Sequence, residues 1–245
     1  AHKIAEKTVA NILWYSLEAD AELKADIRNM TTEGTDFELA FQGDRVSVHT
    51  PLVGRFNVSN CLAAAGLCLA AGLDLSTIAS SLAAAPQIPG RLEKVASDKT
   101  TVIIDYAHTD DALYNVLQTL KPLCKGKLTV VFGCGGDRDK SKRPRMAAVA
   151  EKLADSIFVT SDNPRTESAA AIIGEIVVGF DNPVADSILV EVDREKAIRL
   201  AVENAGPDDI VLIAGKGHET YQLIGDQRLD FSDYHIAAEY LKQRK

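Results

Sequence analysis

The stretch from Leu128 to Arg143, LTVVFGCGGDRDKSKR, decides how the chain reads, because a short apolar run breaks there into a glycine-rich loop crowded with charge. Val130, Val131 and Phe132 predict a buried strand, since β-branched and aromatic side chains suit a pleated surface and a parallel strand is covered on both faces. Gly133, Gly135 and Gly136 let the backbone turn sharply and come close to a ligand. A helix is predicted just beyond: Pro144 suits a first helical turn, and Met146, Val149, Ala150 and Leu153 recur at i, i+3, i+4, i+7. Ligands of open α/β sheets bind outside the carboxyl ends of the strands, which makes this loop a candidate site. A plain connection with a solvated charge cluster is the competing reading of the same residues. A dinucleotide fingerprint fits poorly, as Arg138 stands where the third glycine of G-x-G-x-x-G belongs.

On either side of this stretch the pattern alternates. Val102 to Asp105, Ile157 to Thr160, Ile188 to Val192 and Ile210 to Ala214 are further apolar runs. Amphipathic segments separate them, such as Leu113, Val116, Leu117 and Leu120, and a helix opened by Asp193 and closed near Gly206-Pro207. Such alternation implies βαβ units around a largely parallel sheet. Tyr221 to Leu223 and Arg228 to Phe231 flank Gly225-Asp226 as a hairpin, and a closing helix starts near Ser232. Upstream, residues 1 to about 56 read as strand-rich, with a strand within Asn11 to Leu17 and a hairpin in which Phe37, Leu39, Phe41 and then Val46, Val48 alternate about Gly43-Asp44. Helices follow from Asn60 to Gly72 and from about Ser76 to Ala85. Pro86-Gln87-Ile88-Pro89-Gly90 makes a natural boundary, giving domains of residues 1–90 and 91–245.

With 245 residues, 46% of them apolar and 25% charged, the chain has the composition of a globular protein with a substantial core. A net charge of -8 argues against a general nucleic-acid binder, which needs a basic face. Cys61, Cys68, Cys124 and Cys134 form no C-x-x-C pair and no zinc-ligand spacing, so no metal site is expected and reduced thiols in a cytoplasmic protein are the simplest account. No apolar run reaches the length of a membrane span. The first residue is alanine, as in a processed chain or a piece of a longer one.

Three other strand ends carry polar clusters: Asp105-Tyr106-Ala107-His108-Thr109, Thr160-Ser161-Asp162-Asn163-Pro164-Arg165, and Gly215-Lys216-Gly217-His218-Glu219. Each alone reads as turn chemistry or a structural histidine. Together with the central loop they would converge on one rim of the sheet. Arg165 and Arg138 offer planar forks for a carboxylate, and Glu219 can accept from an ammonium group, the combination an amino-acid zwitterion needs. His108 suits a phosphate and Asp105 a ribose hydroxyl.

GRFNVSN at Gly54 to Asn60, GRLE at Gly90 to Glu93, DYAHT at Asp105 to Thr109, FGCGGDRDKSKRP at Phe132 to Pro144, DNPR at Asp162 to Arg165 and GKGHETYQ at Gly215 to Gln222 together resemble the Mur ligases, in the family's order and over nearly the whole chain. The resemblance implies an α/β protein: part of the family's central ATP-binding domain, followed by a Rossmann-like carboxyl-terminal domain that brings the amino acid. It also implies an ATP- and magnesium-dependent amide ligase of peptidoglycan synthesis, with ATP or ADP, an amino acid and a UDP-N-acetylmuramoyl-dipeptide as partners, and no nucleic acid or membrane. By position, Asn60 matches an adenine contact, Arg91 a phosphate contact, Asp105 a ribose contact and His108 a further nucleotide contact. Asp162, Asn163, Pro164 and Arg165 match the motif that recognises meso-diaminopimelate, and Arg138, Gly215 and Glu219 match its other contacts. Lysine-adding relatives commonly depart from DNPR, so Arg165 favours meso-diaminopimelate, whose second carboxylate it would pair. A lysine-adding or folylpolyglutamate- or cyanophycin-type relative and a non-catalytic amino-acid-binding module are the alternatives. The phosphate loop G-x-x-x-x-G-K-[ST] and the family's magnesium-binding acids find no match here, so no catalytic residue is assigned, the chain is expected to start inside the central domain, and by itself it is expected not to turn over. Asp110 departs from the proline usual after DYAHT.

Overall fold

The computed structural model describes residues 2–96 and 100–243, and the chain divides into two compact units, Ala1–Pro86 and Gln87–Lys245. The first holds α1 (His2–Ala5), β1 (Tyr15–Ser16), β2 (Leu23–Thr31), β3 (Gly34–Phe41), β4 (Asp44–Thr50), α2 (Arg55–Ala70) and α3 (Leu75–Ala83). Its sheet runs β1-β2-β3-β4, with β1 parallel to β2 and the other pairs antiparallel. Leu23, Ala25, Phe37, Leu39 and Val48 alternate onto one face and pack against Val58, Cys61, Leu62 and Ala65 of α2 and Ile78 and Ala79 of α3. Each large side chain so buried contributes roughly 1.5–3 kcal/mol relative to exposure. The opposite face is polar, with Arg28 and Arg45 both paired to Glu38.

Two features depart from the sequence reading. The sequence reading has no strand at Leu23–Thr31, where the nine-residue β2 lies with its alternation interrupted by a register shift between Ile27 and Asn29. Helix α2 begins at Arg55 and not at Asn60, so most of GRFNVSN is already helical.

The second unit contains β5 (Glu93–Val95), β6 (Thr101–Asp105), α4 (Asp110–Leu120), β7 (Leu128–Phe132), α5 (Lys142–Leu153), β8 (Ser156–Val159), α6 (Ala169–Val177), β9 (Ile188–Val190), α7 (Arg194–Asn204), β10 (Ile210–Ala214), β11 (Tyr221–Ile224), β12 (Gln227–Asp230) and α8 (Asp233–Gln243). Six strands form one sheet in the order β5-β6-β10-β7-β8-β9, all parallel except the short edge strand β5. Every residue of β7 and β10 is buried, as expected for strands covered on both faces. Val102, Ile104, Val131, Val211 and Ile213 pack with Ala197, Ile198, Ala201 and Val202 of α7 and Ala237 and Leu241 of α8. The alternate strand residues point to the opposite face. No helix among the described residues is long and apolar enough to cross a membrane.

The helix after the glycine loop is rotated from its predicted face. Arg143, Met146, Ala147 and Ala150 are fully buried, whereas Val149 and Leu153 are half-buried. The buried stripe keeps its i, i+3, i+4, i+7 spacing but starts at an arginine, which a reading of apolar residues alone skips. Helix α6 has no counterpart in the sequence reading.

Candidate functional site

Parallel strands place the carboxyl ends of β6, β7, β8 and β10 along one edge of the sheet. The loops that follow them surround a cavity of about 440 Å³ whose wall includes His108, Arg138, Asp162, Asn163, Arg165 and Glu219. Tyr106, Gly133, Gly135, Lys142, Gly215 and Tyr221 are also part of its wall. Arg91, Asp105 and Pro164 lie beside this cavity without lining it, and Asn60 belongs to the first unit, where its Nδ2 donates to Asn57 at 3.3 Å.

The glycine loop works differently from its sequence reading. None of Gly133, Gly135 and Gly136 has a positive φ. What excludes a side chain is the neighbouring loop: a Cβ at Gly133 would lie 2.2 Å from the Thr160 carbonyl oxygen and one at Gly136 1.9 Å from that of Pro164. The glycines let the loop after β7 and the DNPR loop after β8 pack backbone against backbone.

That contact is stitched by polar groups. Asp137 accepts from the Thr166 hydroxyl at 2.7 Å, and its own amide donates to Glu167 at 2.6 Å. Arg143 grips both Glu167 oxygens at 3.0 and 2.9 Å and reaches Glu175 at 2.7 Å, while its Nε is buried with no partner among the described residues. The Arg143 guanidinium, with help from the Asp137 amide and Lys140, holds the Glu167 carboxyl down at about 2. Arg165 has a φ of 53° and is half-buried. Its Nη1 donates to the Gly136 carbonyl at 2.8 Å, and its Nη2 and Nε take no protein acceptor among the described residues. One edge of the fork therefore anchors the side chain and the other is open to a carboxylate.

On the other side of the cavity, Glu219 Oε2 accepts from Asn163 Nδ2 at 2.8 Å and from Lys216 Nζ at 3.2 Å, leaving Oε1 for a ligand. Asp162, also nearly buried, accepts from the Asn163 amide at 2.6 Å. A charged pair beneath the loops holds them in place: Arg194 and Asp233 are both 0% exposed and bonded through two parallel contacts of 2.8 and 2.7 Å. Arg194 also donates to the carbonyls of Ser161 at 3.1 Å and Ala214 at 3.0 Å, the residues that lead into DNPR and GKGHE. Sequence reasoning missed Arg143, Arg194 and Lys216. Arg194 and Asp233 each open a helix in the sequence, but nothing local marks them as partners 39 residues apart.

The third region is open. Arg91 lies over the Tyr106 ring at 5.0 Å, and the His108 and His218 rings sit 4.7 and 5.6 Å from it. His108 Nδ1 is 2.8 Å from the Tyr106 carbonyl, so Nδ1 carries the proton and Nε2 is the free acceptor of the neutral ring. Asp105 is buried, which pushes its carboxyl up. Its two oxygens accept from the amides of Leu92 at 2.8 Å and Ala107 at 2.7 Å, tying the Arg91 segment to the DYAH loop. Lys142 donates to the His108 carbonyl at 2.6 Å and joins this region to the glycine loop. Burial pushes the Cys134 thiol up to about 12, so it is a core group and not a nucleophile.

A family model for the Mur ligase glutamate ligase domain matches residues 90–217, and one for the Mur ligase middle domain matches residues 1–68. The chain is similar to the UDP-N-acetylmuramoyl-L-alanyl-D-glutamate--2,6-diaminopimelate ligase of Bacillus velezensis, 48% identical over 94% of this chain and 46% of that protein. It is likewise similar to the ligase of that name from Geobacillus kaustophilus, 45% identical over 97% of this chain and 48% of that protein. A solved structure of a ligase of the same name superposes with a TM-score of 0.71 and 38% identity, covering 99% of this chain and 50% of the other. The folylpolyglutamate synthase of Mycobacterium tuberculosis shares the fold at 24% identity and a TM-score of 0.65, over 92% of this chain and 49% of that one. The chain spans about half the length of the curated relatives it matches.

Proposed function

The chain belongs to the Mur ligase family, and from that premise we propose that it is the part of an ATP-dependent amide ligase that recognises meso-diaminopimelate and forms one wall of the nucleotide site. Residues 1–90 serve as the rear of the central ATP-binding domain and residues 91–245 as the amino-acid domain. In the whole enzyme ATP supplies the phosphoryl group that activates the D-glutamyl side-chain carboxylate of UDP-N-acetylmuramoyl-L-alanyl-D-glutamate. The free amine of the bound amino acid then attacks that carbonyl carbon, the phosphate leaves with the C–O electron pair, and the amine loses a proton as the amide forms.

The observation that carries this reading is the pairing, across one cavity, of the open edge of Arg165 with the free Oε1 of Glu219. A carboxylate and an ammonium group on one carbon satisfy both, and Arg138 adds a second cation at the rim. L-lysine supplies the ammonium but leaves the Arg165 fork unpaired, which discriminates against it. The identity of the relatives supports the same substrate. Arg91, Tyr106 and His108 fit a nucleotide: a guanidinium and an imidazole flank an aromatic face, with Asp105 holding their loops together. Among the described residues no three of His, Cys, Asp and Glu come together as a metal site. The four cysteines are free, in keeping with a cytoplasmic enzyme.

Calorimetric titration with meso-diaminopimelate and L-lysine tests this. Binding of meso-diaminopimelate in preference to lysine, with the preference lost in Arg165→Ala, is expected. Equal binding of the two, or binding of neither, would overturn the assignment of the cavity.

A further inference from the structure

The fully buried Lys216 is the least expected group near the cavity. It is 0% exposed and lies between two aromatic rings, its Nζ 5.6 Å from the centre of Tyr221 and 6.0 Å from that of Phe231. Burying an ammonium group is costly unless its protons are matched, and an apolar side chain would fill such a place without that cost. Its hydrogen bonds go to Asn163 Oδ1 at 3.1 Å and Glu219 Oε2 at 3.2 Å, and both of these residues line the cavity.

The consequence for Asn163 is a fixed orientation. Its Oδ1 faces the Lys216 ammonium and the Leu223 amide at 2.9 Å, and its Nδ2 faces Glu219. A flipped amide would set its NH2 group against two donors, so the carbonyl can point only one way. Lys216 and Asn163 together occupy Oε2 of Glu219 from two directions. The carboxylate plane and the direction of Oε1 follow from that grip.

We propose that Lys216 is a positioning residue which, through Asn163 and Glu219, gives the cavity its selectivity for an ammonium group on the distal carbon of the amino acid. The proposal rests on the assignment of the cavity to meso-diaminopimelate. Arg165 reads the distal carboxylate and the Lys216–Asn163–Glu219 set reads the distal ammonium, as two separable halves of one recognition. Lys216 touches no ligand atom in this scheme.

Three ligands separate the halves: meso-diaminopimelate, L-lysine, which lacks the distal carboxylate, and 2-aminopimelate, which lacks the distal amine. In Lys216→Met the preference for meso-diaminopimelate over 2-aminopimelate is expected to fall by roughly tenfold, the scale of one charge-assisted hydrogen bond, while its preference over lysine persists. Glu219→Gln should erase the first preference in the same way, and the double variant should lose no more than either single one. Loss of both preferences together in Lys216→Met, or of neither, would overturn the proposal and leave the cavity assignment intact. A wild-type chain with no preference for meso-diaminopimelate over either analogue would overturn both.

Discussion

Two sides of the same rim are built in opposite ways. Around DNPR and GKGHE, charged side chains go into the interior: Arg143, Arg194 and Lys216 are each fully buried and each bonded to a carboxylate. Around DYAH, Arg91 and His108 stay at the surface, Arg91 over the Tyr106 ring and His108 edge-on to it, and the buried Asp105 is matched by backbone amides and not by a cation. The difference matches what each side is proposed to hold. An amino-acid end group must be read by two charges at a set separation, which calls for side chains locked by neighbours that cannot move. A nucleotide carries a large aromatic ring and several phosphate charges, and an exposed cationic face meets it with less need for a rigid frame.

Breaking the buried side should therefore have the largest effect. Arg194→Ala leaves Asp233 buried without its counter-charge and frees the Ser161 and Ala214 carbonyls. A loss of about 3–5 kcal/mol is expected in denaturant unfolding of the chain. A change below about 1 kcal/mol would show that the pair does not hold the two loops.

Acid should reveal the same frame more gently. The Glu167 carboxyl sits at about 2 instead of its ordinary 4.5, chiefly because Arg143 grips it. A group with a lowered folded value contributes stability above its unfolded value and loses it as pH falls through the folded one. The contribution of Glu167 is thus complete above about 4.5 and disappears towards 2. Unfolding measured across that window should show a pH dependence that flattens in Glu167→Gln, and an unchanged slope in the variant would contradict the Arg143 grip.

The smallest effect on stability belongs to the open side. His108→Ala removes an exposed ring and one contact to the Tyr106 carbonyl, so unfolding should change by no more than about 0.5 kcal/mol. Binding of ADP, by contrast, should weaken. A stability loss comparable to that of Arg194→Ala would erase the distinction between the two sides.

Much of this was legible in local pattern. The runs at Leu128, Ile157 and Ile210, the helix cap at Asp193 and the hairpin about Gly225 needed only periodicity and turn chemistry. The four polar clusters at strand ends announced a common rim because parallel strands deliver their carboxyl ends to one edge. β2 escaped because a bulge breaks its alternation. The predicted face of helix α5 is offset and not inverted: Met146 and Ala150 are buried as expected, and Arg143 and Ala147 complete the stripe in place of Val149 and Leu153.

Sequence alone thus specified the α/β class, most of the order of elements and the loops that line the cavity, since these depend on neighbours a few residues away. It could not say which of its many charged residues leave the water. Lys216 and Arg194 look like surface groups until the loops after β8 and β10 and the start of α8 come together: Asp233, the carboxylate that matches Arg194, is 39 residues away, and Lys216 needs Asn163, 53 residues away, besides its near neighbour Glu219. The same holds for the glycine loop, whose missing side chains make room for Thr160 and Pro164 on the adjacent strand end, a contact that exists only once the sheet has formed.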